Sequence, residues 1–234
     1  MDEIDIDGIK ITRHYAALID DVAIVADLHI GYEGVLQREG AMIPKYQKEI
    51  LKERLNKIVE EYEPSLLIIN GDFKHEFGKN LRQEWRETME ILEFLISKTK
   101  VILIRGNHDN FLRTIANKLN VRITEYFEIN KIKIFHGHKE MKGKRILIAH
   151  EHPSLHLRDK VGALVKLPCF ITNVDITVLP ALSPLAIGID VSSASSNEYL
   201  SPILRNANID EFEIYAISDE LLYFSKIGKI KKVI

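Results

Sequence analysis

Five short runs of β-branched and apolar residues constrain this chain more than any other feature, because each leads directly into polar residues of one chemical kind. VAIVA (22–26) runs into Asp27-Leu28-His29, LLIIN (66–70) into Gly71-Asp72, and VILI (101–104) into Arg105-Gly106-Asn107-His108-Asp109. KIKIF (131–135) runs into His136, and ILIA (146–149) into His150-Glu151-His152. Runs of this length bounded by Gly, Asp and Asn read as buried strands. Two helical patterns separate the first three. Pro44 to Tyr62 carries Ile50, Leu51, Leu55, Ile58 and Val59 on one face, and Leu81 to Lys98 carries Trp85, Met89, Leu92 and Leu95. Strand–helix–strand alternation predicts a largely parallel sheet with crossover helices.

The carboxyl ends of parallel strands share one edge, so the five polar groups are expected to converge there. Gly71 and Gly106, each directly after a strand, permit the tight turn that presents the next residue. After about Pro153 the texture changes. ITNVDITVLPAL, LAIGIDVSS, FEIYAIS and LLYFSKIGKIKKVI read as further strands, suited to a second sheet packed on the first. The expectation is one α/β domain over residues 1–234, two sheets with helices outside.

The segment FHGHKEMKGKRILIAHEHP holds four of the nine histidines and tests that expectation. A hairpin of KIKIF and ILIA would place His136 near the turn and His150 at the far end, about 14 Å away at roughly 3.3 Å per residue. Sharing a site therefore requires these two strands to run parallel, with residues 137–145 returning the chain. Extended residues span roughly 3.3 Å each, so this return is just long enough, although shorter than the usual crossover of about a dozen residues.

Aspartates, an asparagine and histidines together form a mixed oxygen and imidazole donor set, suited to Mn, Fe, Co, Ni or Zn rather than to Ca. A carboxylate shared by two cations holds them roughly 3.5–4 Å apart, the arrangement used for phosphate ester hydrolysis. Each signal alone is weak: Asp-x-His is usually a surface turn and Gly-Asp an Asx cap. All five in this order favour a metal site. Among the remaining candidates, His75 either lines the substrate pocket or makes a structural bond, and Arg105 reaches either a phosphate or a surface carboxylate. His138 competes with His136, which is preferred because it stands at the strand end. His14 and His156 receive no role.

Lysine plus arginine (32) nearly balances aspartate plus glutamate (34), so the net charge of −2 offers no global attraction for nucleic acid. Two local basic runs remain, KEMKGKR (139–145) and KIGKIKK (226–232). The first lies between the two histidine pairs, where it could steer a DNA or RNA backbone with strong salt dependence. No apolar run approaches the roughly 18 residues of a membrane span, and the acidic start MDEIDIDGIK lacks signal-peptide order. A cytoplasmic protein without membrane association is expected. Cys169, the single cysteine, sits in the apolar stretch KLPCFI and is expected to be a buried hydrophobe.

The order Asp-x-His, Gly-Asp, Gly-Asn-His-Asp, His, His-x-His resembles the calcineurin-like metallophosphoesterase superfamily. ADLHIGYEG and GDFKHEFG look most like its branch of predicted phosphoesterases related to ligase-associated DNA-damage-response endonucleases and double-strand-break repair nucleases. The motifs run from Asp27 to His152; the C-terminal third matches loosely. The resemblance implies a four-layer αββα fold, a two-sheet sandwich flanked by helices, and two divalent transition metal ions, Mn first, with Fe, Zn, Ni or Co as alternatives. Asp27, His29 and His152 would hold one metal, and Asn107, His136 and His150 the other, with Asp72 bridging. His108 would serve as general acid or cationic stabiliser beside the leaving oxygen, with Asp109 orienting its imidazole. One departure is Ala149, where the last motif usually has glycine. The implied activity is hydrolysis of phosphodiesters by a metal-activated hydroxide, in a nuclease or nucleotide phosphodiesterase linked to DNA repair. The alternatives are a phosphomonoesterase and a non-catalytic scaffold.

Overall fold

The computed structural model describes residues 1–76, 82–158 and 161–232. Phe77 and Gly78 of GDFKHEFG, Leu81 at the start of the second helical pattern, and the final Val233-Ile234 lie outside the described residues. The first sheet runs in sequence order: β1 (Glu3–Ile6), β2 (Ile9–Thr12), β3 (Ala17–Ile19), β4 (Val22–Val25), β5 (Leu66–Asn70), β6 (Lys100–Ile104) and β7 (Arg122–Thr124). Strands β1 to β4 are antiparallel; β4 to β7 are parallel. Helices α1 (Tyr32–Arg38), α2 (Gln47–Tyr62), α3 (Arg82–Ile96) and α4 (Leu112–Lys118) fill the parallel connections.

The second sheet contains β8 (Phe127–Ile129), β9 (Ile132–Ile134), β10 (Arg145–Ile148), β11 (Ser154–Arg158), β12 (Leu164–Thr172), β13 (Ile176–Val178), β14 (Glu213–Ile217) and β15 (Leu221–Lys226). Its order is β15-β14-β12-β13-β10-β9-β8, with β11 paired to β12 beside it. Two one-turn helices, α5 (Pro202–Arg205) and α6 (Ile227–Ile230), lie in the C-terminal part. The fold is a pair of mixed sheets with flanking helices.

Each central strand reads as continuously apolar because both of its faces are covered. Ala23, Val25, Leu67, Ile69 and Leu103 pack under Leu51, Leu55, Ile58, Ile91, Leu92 and Leu95 of the helices. The alternate residues Ile24, Ile68 and Ile104 face Ile134, Leu147, Phe170 and Ile217 of the second sheet. The outer face of that sheet, with buried Cys169, Ile171 and Ile214, is covered by Val191, Tyr199, Leu204 and Ile227 from short turns and one-turn helices rather than long helices.

Three sequence expectations change. The five motif-bearing strands do not share one sheet: β4, β5 and β6 belong to the first, β9 and β10 to the second. LAIGIDVSS forms no strand, only a single bridge from Asp190 to Ser154. The Asp190 carboxylate instead accepts from Ser192 N–H, Ser192 Oγ and Ser193 Oγ, which curls the chain. LLYFSKIGKIKKVI is strand only to Lys226 before α6 begins. The β1–β2 hairpin also escaped the reading of the sequence. Its turn is Asp7-Gly8, both with positive φ (51° and 84°), a strong hairpin signal present in IDIDGIKI.

Candidate metal centre

Strands β9 and β10 are parallel, with Ile132, Lys133 and Ile134 opposite Arg145, Ile146 and Leu147. The register continues past the strand ends: Phe135 N–H donates to Leu147 O, and Ala149 N–H to His136 O. His136 and His150 therefore emerge side by side, with ring centroids 5.0 Å apart. Opposite them, backbone pairing also extends past β4 and β5, where Asp27 N–H donates to Gly71 O and His29 N–H to Asp72 O. The candidate residues thus meet at the seam where the two sheets' strand ends face each other.

Three groups of donor atoms result among the described residues: Asp27, His29 and His152; Asp72, His136 and His150; and His29, His75 and His108, which shares His29 with the first and has no carboxylate. In the first, His152 Nε2 lies 3.1 Å from His29 Nε2 and 3.4 Å from Asp27 Oδ2. In the second, His136 Nε2 lies 3.2 Å from Asp72 Oδ2 and 3.2 Å from Asn107 Oδ1. Asp72 Oδ2 is also 3.9 Å from His29 Nε2 and 4.0 Å from His108 Nε2, so this one oxygen stands between the groups.

Electrostatics fit a cationic guest. Asp27 is fully buried, and its Oδ1 has no hydrogen-bond partner; such an orphaned buried oxygen suits a cation as its ligand. Burial, then His152, pushes the His29 imidazole down to about 3, and burial with His136 pushes His150 down to about 4. Both rings are therefore neutral at pH 7, the form that ligates metal. Burial opposes ionisation of Asp72, yet the adjacent His136 holds its carboxyl well below the usual range. His136 moves the other way: against burial, the Asp72 charge and hydrogen bond raise it to about 9. Without metal, a proton on His136 supplies the positive charge that the carboxylates require.

The backbone is strained where these residues stand. Asp27, His29, Asp72, His150 and His152 all have positive φ, between 45° and 76°. Such non-glycine conformations cost about 1–3 kcal/mol each and cluster at functional sites. Ala149, in the place of the usual glycine, has no positive φ and is fully buried, so alanine is accommodated. Gly71 does turn the chain (φ 86°), but a Cβ there would also lie 2.1 Å from His136 Nδ1. Gly106 has a different reason from the tight turn expected of it: its φ is ordinary, and a Cβ would lie 2.1 Å from Asp72 Oδ1.

Several expected roles are reassigned by contact. Asp109 is buried, its Oδ1 accepting from Phe73 N–H and its Oδ2 from Gly106 N–H, so it ties the Asp72 loop to the Asn107 loop. His108 Nδ1 instead faces the carbonyl oxygen of His75 at 2.5 Å, which turns Nε2 towards Asp72. His75 stacks on Tyr32 (centroids 3.8 Å, 16° between planes) and its Nδ1 lies 3.3 Å from His29 Nδ1. Arg105 faces Glu125 at 3.8 Å. His138, set aside in sequence, lies 5.3 Å from the His136 ring with its Nδ1 buried and unpartnered. Sequence reasoning passed over the anchors behind the loops. Gln47 donates to His29 O and Ser183 Oγ; Glu84 accepts from His75 and Glu76 N–H; Glu151 accepts from Leu200 and Ser201 N–H. Only Glu151, lodged between two motif histidines, carried any signal in its position.

A two-sheet α/β sandwich with oxygen and imidazole donors gathered at its seam defines a metal-dependent phosphoester hydrolase. The chain belongs to the calcineurin-like phosphoesterase family, whose sequence model matches residues 21–210, and that family works with a dinuclear metal centre. The fold is similar to that of Pseudomonas putida nuclease MPE, with TM-score 0.70 and 22% identity over 94% of this chain and 98% of that one. More distant are Yfce, a phosphoesterase from E. coli (TM-score 0.43, 14% identity, 88% and 98% covered), and a predicted phosphoesterase from Streptococcus pneumoniae TIGR4 (0.33, 14%, 88% and 97%). No curated protein matches the sequence. No helix among the described residues is long and apolar enough to cross a membrane.

Proposed function

We propose that this chain is a phosphodiesterase acting on nucleic acid, and that Asp27, His29 and His152 hold one metal ion, Asn107, His136 and His150 a second, and Asp72 both. The observation that carries the metal assignment is the position of Asp72 Oδ2 within 4.0 Å of His29, His136 and His108 together. Two divalent ions held there, Mn first among them, would activate water near neutral pH and polarise the phosphoryl oxygens.

The chain's own residues do the rest. The His75 carbonyl can only accept, so His108 Nδ1 carries hydrogen and Nε2 is the atom presented to substrate. As water oxygen bonds to phosphorus and the ester P–O bond breaks, a proton passes from His108 Nε2 to the departing alkoxide, and the proton that water gives up goes to solvent, from which Nε2 is recharged. The products are an alcohol and a phosphate monoester. The half-buried His75, stacked between Tyr32 and His108, keeps the donor from swinging away.

Support for a nucleic-acid substrate comes from Lys139, exposed and three residues past His136 at the head of the basic loop KEMKGKR that returns the chain to the start of β10, and from a fold shared with a protein described as a nuclease. The purified protein should bind Mn or Fe and hydrolyse bis(4-nitrophenyl) phosphate faster than 4-nitrophenyl phosphate, with DNA and RNA cleaved in a salt-sensitive way. The reverse preference identifies a monoesterase; neither metal nor turnover leaves a binding scaffold.

A further inference from the structure

A pocket of about 190 Å³ opens against His152, walled also by Arg54, Lys166, Ser154 and Ser183. Its lining carries two permanent cations and two hydroxyls, and no carboxylate. Arg54 is pre-set: its guanidinium lies 4.3 Å over the Tyr15 ring and its Nη1 donates to Leu182 O at 2.6 Å. The segment that carries Ser183 is itself fixed to the centre, Ser183 N–H donating to Asp27 O.

Among the described residues, no ion pair neutralises the cations of this pocket, in contrast to several lysines elsewhere on the surface. Lys48, Lys57, Lys98, Lys226 and Lys231 each face a carboxylate within 4.0 Å. Among the described residues, Arg54 and Lys166 pair with none. Lys166 stands exposed on β12 without a counter-charge in place. Such a pair of cations is completed by an anion, and phosphate suits Arg and Lys used together. The volume has room for a phosphate group.

We propose that this pocket is a subsite for a second, non-scissile phosphate of the substrate, held by Arg54 and Lys166 while the scissile phosphate sits at the metal centre. The proposal rests on the phosphodiesterase reading above and narrows it: the preferred substrates are diesters that carry another phosphate next to the bond being cut, as a polynucleotide strand does. Phosphate contacts of this kind position a strand and carry no base preference.

The test compares three substrates with Mn²⁺: thymidine dinucleotide without a terminal phosphate, and the same dinucleotide phosphorylated at its 5′ or its 3′ end. Wild-type kcat/KM is expected to be at least tenfold higher for one phosphorylated form than for the unphosphorylated one. Lys166→Ala should bring that ratio close to one, whereas Lys57→Ala, on the exposed side of α2, should leave it as in wild type. Arg54→Gln should lower the ratio too, and Lys166, being exposed, keeps the test open if the Arg54 variant fails to fold. A wild-type ratio near one, or a ratio untouched by Lys166→Ala, overturns the subsite. Equilibrium binding of the same dinucleotides separates it from the reading beneath it. A tenfold binding preference that depends on Lys166 in a protein without turnover on bis(4-nitrophenyl) phosphate would keep the subsite and discard the phosphodiesterase.

Discussion

His136 Nε2 lies 3.2 Å from Asp72 Oδ2 although the two residues leave different sheets, Asp72 after β5 of the first and His136 after β9 of the second. The candidate centre therefore spans the two sheets, and its integrity reports on how they are docked.

Asp72 stands between the two carboxylate-containing donor groups, so its replacement should disturb both metal positions at once. Asp72→Asn keeps the shape and removes the charge. Metal affinity should fall by at least about a hundredfold, beyond the loss usual for a supporting residue, and turnover should fall with it. Elemental analysis after dialysis reads the first and hydrolysis of bis(4-nitrophenyl) phosphate the second. Retention of two ions per chain would refute the bridging role.

In the proposed mechanism His108 acts on the leaving oxygen and holds no metal. His108→Ala should lower kcat by about 10²–10⁴, the usual worth of general acid catalysis, with metal content unchanged. The loss should be smallest on substrates with good leaving groups, which need no proton. Equal turnover by variant and wild type would remove His108 from the chemistry.

Gly106 admits no side chain because Asp72 occupies the space. Gly106→Ala should cost about 1–3 kcal/mol through overpacking and should also weaken metal binding by displacing Asp72. Gly8→Ala is the matched control: a Cβ there meets nothing within 4 Å. Its positive φ of 84° still costs about 1 kcal/mol, but metal binding should not change. Denaturant melts and metal titration of both variants make the comparison, and a Gly106→Ala protein that binds metal normally counts against this geometry.

The metal-free protein should be most stable near pH 6.5. Below that, an unfolded chain protonates its histidines, while the folded state keeps His29 neutral down to about 3 and His75, His138 and His150 down to about 4. The unfolded state then binds more protons, so stability falls as pH drops from 6.5 to 4. Asp109, raised by burial and then Asp72 to about 6, works the other way, as do Glu84, Glu87 and Glu151, each raised by burial, so these four carboxyls make the fall shallower. Above 6.5 the folded state retains the His136 proton up to about 9, and the stability it contributes is lost as pH rises through that value. Thermal melts in a chelator across pH 4–9 read the curve; a monotonic rise through pH 9 contradicts the His136 assignment.

Much of the candidate centre was legible because strands buried on both faces hold few polar residues until they end. Asp27, Asp72, Asn107, His136 and His150 are conspicuous against such runs, and a shared site requires β9 and β10 to run parallel. The sequence by itself therefore determined the donor types, their order along the chain and the direction of the strands that carry them. It could not divide those strands between two sheets, since apolar runs look alike whichever sheet they join. Nor could it reveal that Asp109 braces backbone, that a carbonyl of His75 orients His108, or that Gly106 is small to make room for Asp72. Those relations join residues through space from separate loops, and only the docking of the sheets brings them within hydrogen-bond or van der Waals reach.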